Sequence, residues 1–341
     1  RGYYSLSESD FCEVCDGELV PHIGGVRDIH YKIGGRYEIL RCVDCNLQIL
    51  KEWRTLDILT IYEKISDYYA YSGLPGPNRI SKIKDIWLRR RMGLSTSHCE
   101  ISNRIVAILF SPLLRRQYWW LPEQNTSIEK FIDVGCGSGK NVALMHSFGF
   151  ESWGTDISSS VSCNQNREGP NLVVGDFAEA RLPINHFDLV ISDHAIEHMP
   201  DPIFVFSKLR SLLNDAGTAY IAVPNSESLS ARIFGRYWYF LGAPLHAVNY
   251  SPRTIRAVAA RVGLDVVEIQ SEGNYQELLG SLQAFANRKT NKTSSEGLIW
   301  SSKSFRLLGF LWGLMMSYLG LGSNLKVVLR RSAKQEGFGN K

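Results

Sequence analysis

The sequence predicts an α/β fold in which a parallel sheet is covered by helices on both faces. Over residues 128–270, short apolar runs that suit strands alternate with segments of helical periodicity. Such alternation is typical of a parallel sheet that is buried on both faces. A loop with three glycines follows the first apolar run, and ligands bind sheets of this kind at the carboxyl ends of their strands. We therefore expect a ligand at this loop.

Seven strands are predicted between residues 128 and 341, and three helices are predicted between residues 128 and 270. The first strand ends at Asp133, and the others are expected over residues 151–156, 172–174, 187–192, 218–223, 264–270 and 324–331. The helices are expected over residues 140–148, 202–214 and 252–262. Asp201 and Ser251 each precede a proline, which is the pattern of an N-cap before a first-turn proline. Gly263 suits the C-terminal end of the last of these helices.

Composition and charge place the chain among ordinary globular proteins. It has 341 residues, 44% of them apolar, and a net charge of +4, which is enough for one large or two modest domains. Residues 1–20 lack the apolar stretch of a secretion signal. Four of the seven cysteines stand in Cys-x-x-Cys pairs, a pattern that favours metal binding over disulfides. We therefore expect a reducing, cytoplasmic compartment.

Two Cys-x-x-Cys pairs near the start of the chain predict a zinc-ribbon module over residues 1–55. Cys12 and Cys15 form one pair, Cys42 and Cys45 the other, and 26 residues separate the pairs. Each pair sets two thiolates on one side of a tight turn, and together they suit a structural, tetrahedral zinc ion. The alternative is four buried or redox-active thiols. Residues 1–60 carry seven Lys and Arg against ten Asp and Glu, which argues against nucleic-acid binding.

Residues 56–127 are predicted to be a linker followed by a basic helical segment. Residues 79–116 hold nine Lys and Arg against two acidic residues, and apolar residues stand between them at helical spacing. Basic helix faces are usually only solvated. Here they would also attract an anionic substrate or a membrane surface.

The glycine loop and two later acidic residues indicate which cofactor the sheet binds. The loop reads Gly-x-Gly-x-Gly from Gly135 to Gly139, and Lys140 stands where a dinucleotide-binding fingerprint has its last glycine. Asp156 ends the second strand, where it suits two ribose hydroxyls. Asp176 follows the third strand, where it suits an adenine amino group. The set favours an adenosine-bearing cofactor other than a dinucleotide.

These residues, in this order, resemble the class I S-adenosylmethionine-dependent methyltransferases. The resemblance covers residues 128–270 and the last strand, and its motifs are residues 133–139, Asp156, residues 175–177, residues 187–190 and residues 197–202. It implies a Rossmann-like, seven-stranded methyltransferase sheet with helices on both faces. The methyltransferase domain would then span residues 128–341, behind the small N-terminal zinc ribbon.

The resemblance also implies a role for individual residues. The methionine end of the cofactor would be held by Asp133 and by the loop residues Gly135, Cys136, Gly137, Ser138 and Gly139. Asp156 would bind the ribose, and Ile157 would pack on the adenine. Asp176 would accept from the adenine amino group with Phe177 beside it, and Asp193 and His194 would border the cofactor and the methyl acceptor.

Three histidines are candidates for a general base, which methyl transfer requires when the acceptor must lose a proton. We place His246 first, because its loop follows the fifth strand, where such folds build acceptor pockets. His194 lies just past the fourth strand, and His198 stands beside Glu197 in a family motif. The alternative is that these are ordinary hydrogen-bonded histidines.

A second, looser resemblance concerns the acceptor. Residues 225–240 resemble methyltransferases of bacterial sugar and surface-polysaccharide pathways, and a four-cysteine zinc module recurs among related sugar methyltransferases. The acceptor implied is a small molecule or glycan, a nucleotide- or lipid-linked sugar that is methylated at oxygen or carbon. Two alternatives stay open: an RNA methyltransferase that uses the ribbon for recognition, and a non-catalytic binding protein with the cofactor fold.

Residues 271–323 are expected to form a helical insert between the last two strands. Residues 281–297 are polar and are predicted to be a loop, whereas residues 307–321 carry no charge. Residues 286–341 hold ten Lys and Arg against two acidic residues. The apolar run is short for a membrane span and contains three glycines. It predicts either a buried or dimer-interface helix, or a helix over residues 304–323 that contacts the inner membrane face or a diphosphate-linked glycan on lipid.

Overall fold

The structure is a computed structural model and describes residues 11–56, 61, 65, 82–96, 105, 107–121, 128–158 and 169–333. Most of the predicted linker, and the last eight residues of the predicted catalytic domain, lie outside this set. The basic segment contributes two described helices, α1 (Lys82–Arg91) and α2 (Ser111–Gln117).

The remaining elements alternate along the chain. The strands are β1 (Leu19–Val26), β2 (Tyr37–Cys42), β3 (Gln48–Leu50), β4 (Lys130–Val134), β5 (Glu151–Asp156), β6 (Asn171–Val174), β7 (Phe187–Asp193), β8 (Leu213–Pro224), β9 (Val248–Asn249), β10 (Leu264–Glu272) and β11 (Asn324–Arg331). The further helices are α3 (Lys140–Ser147), α4 (Pro202–Leu212), α5 (Leu229–Phe234), α6 (Pro252–Val262), α7 (Tyr275–Ala286), α8 (Leu298–Ser301) and α9 (Lys303–Leu319).

Seven strands form the main sheet in the order β10-β11-β8-β7-β4-β5-β6. The neighbours from β8 to β6 are parallel, and β11 is antiparallel to both of its neighbours. Side chains alternate between the two faces along each strand. Ile132 and Val190 share a core with α4 and α6, whereas Phe131 and Leu189 share one with α1 and α3. The predicted α/β class, with a mostly parallel sheet between helices, is confirmed.

Two local predictions were wrong. β8 begins at Leu213, five residues before its predicted start, and α4 ends at Leu212. The predicted loop over residues 281–297 is helical up to Ala286, because α7 places its small and polar residues in a packed interface. Ser281 donates to the Glu277 carbonyl, and Gly280 lies so close to the Tyr239 ring that an added Cβ would clash with it.

The ribbon is fastened to the catalytic half of the chain by a shared sheet. β1, β2 and β3 are completed by β9, which pairs antiparallel with β3 through Gln48 and Asn249. The hydroxyl of Thr254 donates to the Cys45 carbonyl at 2.8 Å. Trp238, which is buried, packs in one cluster with Ile39 of the ribbon. The ribbon is therefore part of the surroundings of residues 238–254.

The helical insert packs through glycines and leaves an apolar face exposed. Gly313 of α9 lies against Gly273. A Cβ added to Gly273 would clash with the carbonyl oxygen of Gly313 at 2.2 Å. The opposite face of α9 is exposed and carries Leu307, Leu308, Leu311, Leu314, Met315 and Tyr318. Among the described residues, no helix has both the length and the apolar character to span a membrane.

Candidate functional site

The glycine loop between β4 and α3 adopts a backbone that side chains would hinder. Gly135, Gly137 and Gly139 all have positive φ angles, of 77°, 53° and 73°. A Cβ added to Gly135 would lie 2.1 Å from the Cβ of Ala195, so the loop and the segment after β7 approach each other closely. The loop therefore exposes backbone groups, without side chains in the way, at the carboxyl ends of β4 and β7.

Asp156 at the end of β5 is joined to this loop. Its Oδ2 accepts from the Gly137 N–H at 2.8 Å, and its Oδ1 accepts from the Ser158 N–H at 2.9 Å. The carboxylate is partly exposed, so it combines a fixed orientation with access from the cleft side. This arrangement suits acceptance from the two hydroxyls of a ribose.

Asp133 lies behind the loop and is buried. Its Oδ2 accepts from Nδ2 of Asn141 at 3.1 Å. The pKa of Asp133 is raised to about 8, chiefly by burial and also by the negative charges of Asp193 and Asp156, whereas the hydrogen bond from Asn141 opposes this shift. Three carboxylates thus surround the loop. A cationic ligand would stabilise the charged forms of these groups, and S-adenosylmethionine carries a positive sulfonium.

The other predicted cofactor residues fall into two groups. Ile157 is exposed and Asp176 partly exposed, as contact with an adenine requires. Asp176 Oδ1 accepts from the Ala178 N–H. Phe177, Cys136 and Ser138 are instead buried, and Phe177 packs in the main core. The side chains of these three residues would therefore support the site without lining it. Their contact with a cofactor would be made by backbone atoms.

A cleft of about 510 Å³ opens at the carboxyl end of β7. Asp193 and His194 at the end of β7 form one part of its wall, and their role at the border between cofactor and acceptor stays a prediction. Arg116, Trp119, Glu272 and Lys326 contribute to the remaining wall. The volume is that of a small-molecule site.

The far wall of the cleft carries two cations and one anion. Glu272 contacts Nε of Arg116 at 2.6 Å and Nζ of Lys326 at 2.5 Å. Lys326 is largely buried, and its ammonium lies 5.4 Å from the centre of the Trp119 ring. This cluster has one positive charge in excess, so it favours an anionic ligand.

His194 and Glu197 form an ion pair at the near wall. Nδ1 of His194 lies 3.0 Å from Oε1 of Glu197, which is completely buried, and His194 has a positive φ of 54°. Burial opposes both charges, yet their contact raises the pKa of His194 to about 9 and lowers the pKa of Glu197 to about 2. A protonated imidazole has no lone pair for a proton, so this pair presents His194 as a donor and a positive charge.

The other two candidate bases lie together behind this pair. The rings of His198 and His246 meet edge to face with 4.8 Å between their centres. Burial lowers the pKa of His246 to about 3, and the neighbouring His198 contributes to the shift. His246 is therefore neutral and retains a lone pair, although neither His198 nor His246 belongs to the wall of the cleft.

The four ribbon cysteines converge as the spacing predicts. The Sγ atoms of Cys12 and Cys45 lie 3.5 Å apart, and those of Cys15 and Cys42 lie 3.4 Å apart. Sulfur atoms around a tetrahedral zinc with bonds of 2.3 Å would be separated by about 3.8 Å. All four sulfur atoms lie within 4.8 Å of one another, so the residues present fit a zinc ion.

Several residues of the site escape sequence reasoning. Lys326 is a charged residue within an apolar strand, which is a signal that the sequence offers, but its partners Glu272 and Arg116 are remote along the chain. Glu197 carries no such signal, because a buried acid and an exposed one look alike in a sequence. The pairing of β10 with β11 brings Glu272 and Lys326 together, whereas Glu197 contacts His194 only three residues away in the chain.

Known proteins similar to this chain include one family and several solved structures. Residues 103–269 match the family described as a methyltransferase domain, and a search of curated proteins found no match. An S-adenosylmethionine-dependent methyltransferase structure from Archaeoglobus fulgidus is 20% identical, over 66% of this chain and 94% of that chain, with a TM-score of 0.42. Geranyl diphosphate C-methyltransferase from Streptomyces coelicolor is 14% identical, over 70% and 86% of the two chains, with a TM-score of 0.41.

Proposed function

We propose that this chain, an S-adenosylmethionine-dependent methyltransferase, methylates a sugar carried on a nucleotide or lipid diphosphate, at oxygen or carbon. The observation that supports this acceptor is the cleft beside Asp193 and His194. It has the volume of a small-molecule site, its far wall has an excess of positive charge, and exposed apolar helices lie beside it.

The cofactor supplies an electrophilic methyl group when it is bound. Asp133 and the backbone from Gly135 to Gly139 would hold its methionine end, Asp156 its ribose and Asp176 its adenine. The task left to the protein is to set an acceptor atom in line with that methyl group. Asp193 and His194 stand at the position from which the acceptor would be oriented.

The proposal that the acceptor carries a diphosphate is based on the charged side chains of the cleft. Arg116 and Lys326 share the single carboxylate of Glu272, so a phosphate oxygen would gain more from the two cations than it would lose to the anion. Glu272 meanwhile holds both cations in position before a ligand arrives.

The lipid part of the proposal rests on the two apolar surfaces next to the cleft. Leu113 of α2 lines the cleft and is exposed, as are Leu109 and Phe110 just before it. On the other side, the Ser317 hydroxyl of α9 accepts from the N–H of Gly273 in the cleft wall, so α9 packs on this wall through the face opposite to its exposed apolar side chains. Apolar surface of this kind beside a cationic cleft suits an acceptor that lies at a membrane surface.

The direct test is methyl transfer from labelled cofactor to a panel of acceptors. The panel contains nucleotide-linked sugars, diphosphate-linked sugars on a polyprenyl chain, the same sugars without diphosphate, and RNA. We expect label in a diphosphate-linked sugar and much less in the free sugar. Label in RNA alone would establish the alternative function and overturn this one.

The membrane contact has its own test in flotation with vesicles that contain anionic lipid. We expect wild-type protein to float, and Leu311→Glu and Leu314→Glu variants to remain at the bottom. Val267→Glu is the matched control, because Val267 is also an exposed aliphatic residue but lies on β10. Flotation of all variants alike would contradict the contact, while leaving a nucleotide-linked acceptor intact.

A further inference from the structure

One oxygen of a completely buried carboxylate is left without a hydrogen bond. Glu197 has no exposed surface, and its Oε1 accepts from His194. Its Oε2 is buried, and within the described part of the chain it meets no donor. Burial of an unpaired carboxylate oxygen is costly, and such an oxygen in a folded protein indicates a missing partner, either water or an ion.

Two imidazoles, those of His198 and His246, lie near the Glu197 carboxylate, and each has a fixed tautomer. Nδ1 of His198 lies 2.9 Å from the Leu245 carbonyl, and Nδ1 of His246 lies 3.1 Å from the Phe240 carbonyl. A carbonyl only accepts, so Nδ1 carries the hydrogen in each ring and Nε2 carries the lone pair. A backbone carbonyl on the second ring nitrogen is the arrangement that orients histidines which bind metals.

The three groups converge on one point. One ligand atom from each of Glu197, His198 and His246 lies within 4.8 Å of the other two. Tetrahedral ligands at about 2.1 Å from an ion are about 3.4 Å apart, so a spacing of 4.8 Å would need to contract by about 1.4 Å when the ion binds. Both histidines are partly exposed, which leaves an open side for further ligands.

We propose that Glu197, His198 and His246 bind a divalent first-row transition metal ion, separate from the ribbon zinc. Two imidazole nitrogens and one carboxylate oxygen suit Zn²⁺, Mn²⁺ or Fe²⁺, and three protein ligands with an open side are typical of a catalytic rather than a structural metal. Glu197 would bridge the ion and His194, because its Oε2 would bind the ion while its Oε1 contacts His194. His194 in turn lines the acceptor cleft, so a single side chain separates the ion from the acceptor.

This inference goes beyond the proposed function and does not depend on which sugar is methylated. It changes the role assigned to two of the candidate bases. His198 and His246 would act as metal ligands, and an acceptor hydroxyl that reached the ion would lose its proton more easily than a free hydroxyl.

The test is the metal content of the full chain after removal of loosely bound ions and dialysis against Zn²⁺ or Mn²⁺. We expect two metal ions per wild-type chain by native mass spectrometry and by elemental analysis. Glu197→Gln and His246→Ala should each hold one. The matched control is His22→Ala, which changes an exposed histidine of β1 and should still hold two. One ion in the wild type, or an unchanged content in both variants, would overturn the proposal.

A spectroscopic measurement separates the two sites. Co²⁺ at the four cysteines gives strong thiolate-to-metal absorption, whereas Co²⁺ at Glu197, His198 and His246 gives only weaker visible bands. We expect His246→Ala to lose the weak bands alone and Cys12→Ser to lose the thiolate absorption. Binding of S-adenosylhomocysteine, measured by calorimetry, shows that each variant is folded. If the weak bands are absent from folded wild-type protein, a water molecule is the partner of Glu197 and the metal site is refuted.

Discussion

Nζ of Lys326 lies 2.5 Å from Oε2 of Glu272, although Lys326 stands between the buried apolar residues Leu325 and Val327 of β11. A lysine whose stem is buried and whose ammonium reaches a cleft is expensive to keep for structure alone. The pair is therefore the feature of this cleft wall whose role in ligand binding we test first.

Lys326→Met should weaken acceptor binding without much effect on the cofactor. A hydrogen bond to a charged group contributes about 1.5–3 kcal/mol, so KM for a diphosphate-linked acceptor should rise roughly tenfold or more. The affinity for S-adenosylhomocysteine should remain near that of the wild type. Arg330→Met, which changes an exposed cation of the same strand, is the control. An unchanged KM for the diphosphate-linked acceptor would remove Lys326 from the acceptor site.

Asp156→Ala should weaken cofactor binding strongly. The variant loses two acceptors for the ribose and also the bond that Asp156 makes to the Gly137 N–H, so we expect a loss of at least about tenfold in affinity. Calorimetry with S-adenosylhomocysteine measures it. Glu151→Ala, at the opposite end of β5, is the control. Equal affinities for the two variants would refute the ribose assignment.

Cofactor binding should release a proton through Asp133. Burial raises the pKa of this carboxyl to about 8, so it is mostly protonated at pH 7 in the free protein. A cationic ligand stabilises the charged form and lowers the pKa, so the proton leaves as the ligand enters. The binding enthalpy at pH 7 should therefore vary with the ionisation enthalpy of the buffer. Asp133→Asn should abolish most of that variation, and a wild type without it would contradict this account.

The sheet and the cofactor loop could be predicted because their signals are local. Apolar runs with the period of a strand predicted all seven strands of the main sheet, and β11 was placed at its observed ends. Three glycines next to a strand predicted the loop, since only a few residue types tolerate its backbone.

The two charged clusters could not be predicted because their members are distant in sequence. Arg116, Glu272 and Lys326 come from α2, β10 and β11, and only the order of strands in the folded sheet joins them. Glu197 and His246 are likewise joined through a loop whose course is set by the ribbon. The length of α7 was missed because its polar residues are satisfied inside an interface.

The ribbon should hold one zinc ion that it needs to stay folded. Cys42→Ser should remove this ion and lower the melting temperature, since metal binding and folding are coupled in small zinc modules. Cys136→Ala, which changes a buried cysteine outside the ribbon, should leave the ribbon zinc in place. Elemental analysis and calorimetric melting measure both effects. A Cys42→Ser protein that kept the wild-type melting temperature would show that the cysteines are not a structural metal site.

Glu277 should anchor the helical insert. It is completely buried, its Oε1 accepts from Trp312 Nε1 at 2.7 Å, and its Oε2 accepts from the Ser323 N–H at 2.8 Å. Glu277→Ala leaves two buried donors unpaired, so we expect a loss of roughly 2–5 kcal/mol in the free energy of unfolding. Glu277→Gln keeps one acceptor and should lose less. Urea unfolding curves compare them, and equal midpoints for wild type and Glu277→Ala would contradict the anchor.

The pairing of β3 with β9 also constrains how the protein is made. Gln48 leaves the ribosome long before Asn249, its partner across the sheet, because about 200 residues separate them in the chain. Until the later segment arrives, the outer edge of the ribbon has unpaired backbone groups and is open to pairing with other chains. Early synthesis is thus the stage at which this protein is most exposed to aggregation, and it is the stage at which a chaperone would protect it best.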